Sequence, residues 1–489
     1  MDKVIKMYEV EERFQNFADL LDNVSFEYQD TDDDGIVTIK AETKSGKYIC
    51  LQYREISLPE IKEMFLSGEK IDLTGKYINN FDIDKLNLPS GFQLNVDFIA
   101  DFSYWNGDTN FKGFDFGKGN VQFTGVNFDN GDVWFSGVCF NIGDVSFLKA
   151  NFGEGDVSFE AINLYQGDIS FYDTNFGEGD VKFFGSNLGK GIMNFDGTNF
   201  GKGIVNFDGT NFGKGDVTFD GANFGKGKVS FNGTTSDKGN ISFRGASADI
   251  VSIIGSKFTN DINLQFRSIN HLELISCTNK QHMKISGIKE KLSFKDSANL
   301  GRIEINWDQC NVKKAIQNAY NLKGSKHREG YKRDCADAAH DFLLLKENYR
   351  NIANYEWEDE AYFNYMKYNT KSMEWPSNKF GKKFFNTLFG GISGYGTRIL
   401  NILVSCLLMI LLSGAIYCSA FHDRVLTFRN VLKSMYFSTI TFLTIGYGDF
   451  APANMNFSDF QTFWTGVEGF AGLFLMSIFT IVIMRKVLR

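Results

Sequence analysis

The stretch GKGIVNFDGTNFGKGDVTFDGANF, Gly201 to Phe224, decides the architecture of most of this chain. It spells one pattern twice: a Gly, a β-branched residue two places on, and a Phe two places after that. Reading outward, the pattern recurs every 12 residues for twelve consecutive units, from about Ser103 to Ala246. Gly holds the fifth position throughout, from Gly107 to Gly239, and Phe the ninth, from Phe111 to Phe243. A fixed short period marks a solenoid, in which each repeat buries itself against its neighbours.

Alternation places Val and Phe of each V-x-F on one side of a strand. The usually small twelfth residue and the Phe at the second position form another inward pair, as in Ala222 and Phe224. A 12-residue coil would have to enclose two Phe, one Val and a small residue, which overfills a densely packed interior. The expectation is therefore two units per 24-residue coil, with four faces. After Ala246 the spelling loosens, and pairs such as Ile262/Leu264 and Met283/Ile285 carry the pattern to about Cys310. The scheme resembles a pentapeptide-repeat solenoid, although here the faces alternate between five and seven residues. Calcium-binding nonapeptide repeats are excluded by the period and by the missing Gly-Gly pair. The lysines at position four (Lys190, Lys202, Lys214, Lys226 and Lys238) read as a solvated corner with aspartates close by. An unknown ligand or partner protein on the solenoid stays open.

The 489 residues carry a formal net charge of -8, which gives no basic character for nucleic acid as a partner. Seven scattered cysteines without a CxxC pair read as reduced thiols. No triad, phosphate loop or metal constellation suggests an enzyme. The polar N-terminus lacks the apolar core of a secretory signal, so the chain is expected to begin in the cytoplasm.

Residues 1–90 read as a small α+β domain, with a helix over Glu11 to Leu21 followed by short strands. Asp30, Asp32 and Asp34 begin like a calcium loop. Its twelfth position is Ala41 where a bidentate Glu belongs, so an acidic hairpin turn is expected and calcium is not. Residues 91–310 form the β-solenoid, expected to be right-handed. Residues 311–397 turn helical, with two antiparallel helices joined near Ile352 to Glu356 and then an amphipathic segment suited to the inner leaflet surface. These helices would cap the open end of the solenoid, or couple it to the C-terminal region.

Residues 398–489 hold the only windows long enough to cross a bilayer, about 399–421 and 463–484. Between them lies VLKSMYFSTITFLTIGYGDFAP, read as a short re-entrant helix followed by a Gly-rich strand. The motif Thr444-Ile445-Gly446-Tyr447-Gly448-Asp449, placed between two spans, resembles the potassium-channel selectivity filter, and the surrounding region resembles the two-transmembrane ion-channel family. That resemblance implies an all-α pore domain and a homotetramer in the bilayer. Potassium would be held by main-chain oxygens of Thr444, Ile445, Gly446 and Tyr447, with Gly446 and Gly448 permitting a backbone of alternating handedness. It further implies that Tyr447 packs outward against an aromatic cuff, with Tyr436 and Phe437 on the pore helix in the matching places and Thr441 in support. Gly472, or Gly469, takes the gating-hinge position; close helix packing is the equal alternative at Gly472. Some family members carry a carboxylate four residues before the first filter Thr; Ile440 stands there.

Lys379, Lys382, Lys383 and Arg398 precede the first span, and Arg485, Lys486 and Arg489 follow the second, against Arg424, Arg429 and Lys433 between them. The positive-inside rule then puts both termini in the cytoplasm of an inner, plasma-membrane protein. No further span and no Arg-rich helix suggests a voltage sensor, and no regulatory domain is expected beyond the second span. The functional expectation is a potassium channel whose solenoid assembles or gates the pore. The alternatives are a weakly selective cation channel, or a membrane-tethered scaffold that binds another protein.

Overall fold

Three strands open the first unit: β2 (Ser25–Thr31), β3 (Ile36–Glu42) and β4 (Tyr48–Glu55) pair antiparallel, and β1 (Lys3–Lys6) adds parallel to β4. The computed structural model describes residues 3–7, 25–32, 34–42, 48–298, 300–324, 326–374, 380–421, 428–448 and 457–488. The helix expected over Glu11 to Leu21 lies outside them, as do Lys379, Arg424, Asp449 and Arg489. The chain divides into two units, Met1–Lys323 and Gly324–Arg489.

The acidic turn between β2 and β3 uses its own carboxylate. Asp32 Oδ1 accepts the amides of Asp34 at 3.0 Å and Ile36 at 2.9 Å, as a hairpin turn requires. Val37, Ile39, Leu51 and Tyr53 form one core with Tyr77 and Tyr104. The parallel ladder begins here, earlier than the boundary read at residue 90, because β4 pairs with Lys76–Asn79 and that strand with Tyr104–Asn106. These first coils are uneven, which hides them from a search for a fixed period. Helix α1 (Leu58–Ser67) closes this end, with Phe65 packed on Phe92, Phe98 and Phe114.

The solenoid runs through residues 54–305 in about 11 turns. In its regular part each short strand pairs in parallel with the strand 24 residues on: Val121 with Val145, Val145 with Ile169, Val181 with Val205. Ninth-position phenylalanines stack in two columns. Phe147, Phe171 and Phe195 lie 5.1 and 4.9 Å apart with their rings nearly parallel, and Phe159, Phe183 and Phe207 form the second column at 5.0 and 4.8 Å. Across the columns the rings meet edge to face, as Phe159 and Phe171 do at 78°. This herringbone satisfies the quadrupole preference of both neighbours. Each fully buried ring contributes about 1.5–3 kcal/mol.

The fifth-position glycines serve the corners. A Cβ at Gly143 or Gly215 would sit inside the carbonyl oxygen of Gly119 or Gly191, one coil back. Side-chain amides form a ladder along one edge, Asn151 donating to Asn127 at 2.8 Å and Asn175 to Asn151 at 2.9 Å. At the far end, α2 (Val312–Ala319) buries Val312, Ala315 and Ile316, and Ser293 Oγ bonds Tyr320 Oη at 2.7 Å.

The second unit is helical. α3 (Tyr331–Asn351) and α4 (Tyr355–Ser372) form an antiparallel hairpin, with Phe342 stacked on Tyr368 and Tyr349 edge-on to Trp357. α5 (Phe380–Ser393) exposes Phe384, Phe385, Leu388 and Phe389. A tight turn with positive φ at Gly394, Tyr395 and Gly396 leads into α6 (Ile399–Tyr417), so the Gly-Tyr-Gly at 394–396 is a helix connection. α7 (Phe428–Phe442) and α8 (Asp459–Val487) complete the unit. A capping box starts α8: the Gln461 amide donates to Ser458 Oγ at 3.3 Å, and the Gln461 side chain accepts the Ser458 amide at 3.0 Å.

Candidate functional site

Among the described residues, two helices are long and apolar enough to cross a membrane, Ile399–Ala420 and Asp459–Val487. Helix α7 lies between them in sequence and packs on both, and its last turn delivers the Gly-rich segment. There the Thr444 amide donates to the Thr441 carbonyl at 3.0 Å and the Ile445 amide to the Ile440 carbonyl at 2.9 Å, so residues 440 and 441 anchor its start.

Beyond that anchor, φ is positive at Thr444 (55°), Gly446 (58°) and Gly448 (82°), at every second residue. Glycine takes such values freely; Thr444 pays a steric cost there. Its hydroxyl donates to the Leu443 carbonyl at 2.7 Å. Ile445 and Tyr447 are 46% and 65% exposed on the single chain.

Of the supporting residues, Phe437 is buried in its own chain. It packs edge-on against Tyr417 at 5.0 Å and Phe457 at 5.3 Å. Tyr436 is exposed on the single chain, and Thr441 supplies the carbonyl already described. Gly472 faces the end of α7 so closely that a Cβ would overlap the Phe442 carbonyl oxygen, which gives this glycine a packing reason. Gly469 is less crowded, with Thr441 O at 3.9 Å from a built Cβ.

Sequence alone places Glu468 in the second span and gives it no role. The structure puts it at the meeting point of three helices, with no exposed surface. Tyr417 Oη on α6 donates to Glu468 Oε2 at 2.7 Å, and Ser438 Oγ on α7 lies 2.5 Å from Oε1 and 2.9 Å from the Ile410 carbonyl oxygen. Trp464 Nε1 donates to Ser413 Oγ at 3.0 Å beside them, and Gln461 Nε2 reaches the Ile416 carbonyl at 2.8 Å. A lone carboxylate in an apolar span is the available signal, since such groups are kept where they are paired. Its partners are scattered over three segments, and no sequence pattern names them.

This helical frame has a known counterpart. Residues 405–489 match the Ion_trans_2 family model, described as an ion channel. This C-terminal region is similar to an ion-channel domain. No curated protein and no solved structure matches the chain. The matched region begins within α6 and takes in α7, the Gly-rich segment and α8, so the match covers the filter-like residues and the Glu468 network and leaves the solenoid outside. The match to an ion-channel family and the two apolar helices together point to a membrane protein.

Proposed function

We propose that four copies of the chain form a potassium-selective channel, with carbonyls of Thr444, Ile445, Gly446 and Tyr447 lining the conduction path. The observation that carries this reading is the alternation of handedness at Thr444, Gly446 and Gly448. Successive peptide groups in such a backbone turn their carbonyls to one side, where they can replace the water around a potassium ion. One strand supplies a quarter of that ring.

Exposure supports assembly. Irregular backbone is not tolerated against lipid, and Ile445, Gly446, Tyr447 and Gly448 are all exposed on one chain between two membrane-crossing helices. Neighbouring subunits would shield them. Basic residues Lys382, Lys383, Arg398, Arg485 and Lys486 flank the two spans on their outer sides, and by the positive-inside rule this supports a reading with both termini in the cytoplasm. The solenoid then lies on the cytoplasmic side, where it assembles or gates the pore.

The test is the reversal potential of the purified full chain in planar bilayers, with potassium on one side and sodium on the other. A value near the potassium equilibrium potential supports the proposal. A value near zero with clear current replaces it with a weakly selective cation channel. Silence under all conditions, with the chain correctly inserted, favours a membrane-tethered scaffold.

A further inference from the structure

We propose that Asp359 and Glu360, neighbours on α4, are positioning residues for the pore that hold the inner ends of both membrane helices. Asp359 Oδ1 accepts from the Arg485 guanidinium at 2.7 Å, and Arg485 lies in the last turn of α8. Glu360 Oε1 forms an ion pair with the Arg398 guanidinium at 2.6 Å, and Arg398 is the N-cap residue of α6. One turn further along α4, Tyr362 lies under Arg485 at 5.8 Å and Phe363 under Arg398 at 5.0 Å.

The arrangement is one device used twice. A carboxylate and an aromatic ring three residues apart share a helix face. Asp359 with Tyr362 makes one such pair, and Glu360 with Phe363 makes the other, shifted by a single residue. That shift turns the second pair about 100° around the helix, so one rigid helix grips two arginines on two different sides. Each arginine receives an ion pair and a cation–π contact together.

Side-chain exposure is 13% for Asp359 and 30% for Arg485, against 26% and 39% for Glu360 and Arg398. The inner-helix pair is therefore the less screened of the two. The grip also has room to move. Cavities of about 780 and 540 Å³ lie beside it, the first reaching Glu356 and Lys486 and the second Lys346, Arg350 and Glu358. A tilt of the α3–α4 hairpin would thus carry the ends of α6 and α8 with it, while nearby charges offer alternative partners. The two helix ends bracket the candidate pore, so their relative position sets its inner opening.

The inference rests on the channel reading, and its test separates the two. Full-length Asp359→Arg, Arg485→Asp, Glu360→Arg and Arg398→Glu are compared with the swaps Asp359→Arg/Arg485→Asp and Glu360→Arg/Arg398→Glu, in bilayers and by hydrogen–deuterium exchange in lipid vesicles. Single reversals are expected to shift open probability roughly fivefold or more, to speed exchange in the last turn of α8 or the first turn of α6, and to leave the reversal potential unchanged. Each swap is expected to restore both readouts. Altered exchange with unchanged open probability would reduce the contacts to docking and overturn the proposal. So would single reversals that change neither readout, or swaps that restore nothing. If the unmodified channel carries no current, the channel reading fails by itself. The exchange arm then still decides whether the two pairs hold the helix ends.

Discussion

The Tyr417 hydroxyl on α6 donates to the Glu468 carboxylate on α8 across 2.7 Å, in a site with no solvent-exposed surface on Glu468. With Ser438 on α7, this bond ties the helix that leads into the Gly-rich segment to both apolar helices. Replacing Glu468 by Leu strands the Tyr417 hydroxyl, at about 1–3 kcal/mol for an unsatisfied buried group, while Ser438 keeps the Ile410 carbonyl as its acceptor. Glu468→Leu should therefore lower the melting temperature of the detergent-solubilised protein and reduce current. Glu468→Gln keeps an acceptor and should lie much closer to the unmodified protein.

Gly472 and Gly469 should part company on substitution. Ala favours helices over Gly by roughly 0.5–1 kcal/mol, and at Gly469 the neighbouring Thr441 carbonyl leaves ordinary van der Waals space. Gly469→Ala is expected to be neutral or stabilising. Gly472→Ala drives a methyl into the Phe442 carbonyl and should destabilise the domain and disturb conduction. Thermal melts and single-channel records of the two variants make the comparison. Equal tolerance at both positions would remove the packing argument.

In the solenoid, Gly215→Ala should be far more damaging than Lys226→Ala. The first adds a Cβ on top of the Gly191 carbonyl of the preceding coil, while the second trims a corner side chain. Phe207→Ala removes a ring stacked on Phe183 at 4.8 Å and Phe231 at 4.9 Å, and should cost about 3–5 kcal/mol. Circular-dichroism melts of the full chain would rank the three.

Asp101 gives the first coils a pH dependence. Burial holds its carboxyl above the ordinary aspartate range, and the hydrogen bond from the Thr124 amide at 2.7 Å offsets this only in part. A carboxyl raised in the folded state binds its proton more tightly there than in the unfolded chain. Its contribution to stability is fullest below the unfolded value of about 4 and declines as pH rises through the folded value. Asp101→Asn should consequently raise the melting temperature at pH 7 and change it little at pH 4. An equal shift at both values would contradict this.

Much of the architecture is legible in the spelling, and the reasons differ by region. The 12-residue period survives because every coil presents the same small interior, so each position tolerates few residue types. Two apolar stretches and TIGYGD stand out because lipid and a filter-like backbone restrict composition over contiguous residues. The uneven first coils, where Tyr77 pairs with Tyr104, repeat in space without repeating in sequence. The contacts of Glu468 and Asp359 are hidden for another reason. Arg485 stands 126 residues from Asp359, and no local pattern links two charges so far apart. The role of the corner glycines is equally obscure in sequence: an invariant Gly suggests a turn, whereas the structure shows that the carbonyl of the coil behind needs the space.

Pairing between residues 24 apart, in a chain that repeats every 12, also constrains how such a solenoid can change length. Gain or loss of two units returns every later strand to the same side, and the stacked Phe columns rejoin in order. Gain or loss of one unit keeps the spelling intact yet exchanges the two halves of every later coil. The chain beyond the last coil would then leave from the opposite face. Tandem duplications that preserve the exit direction come in even numbers of units.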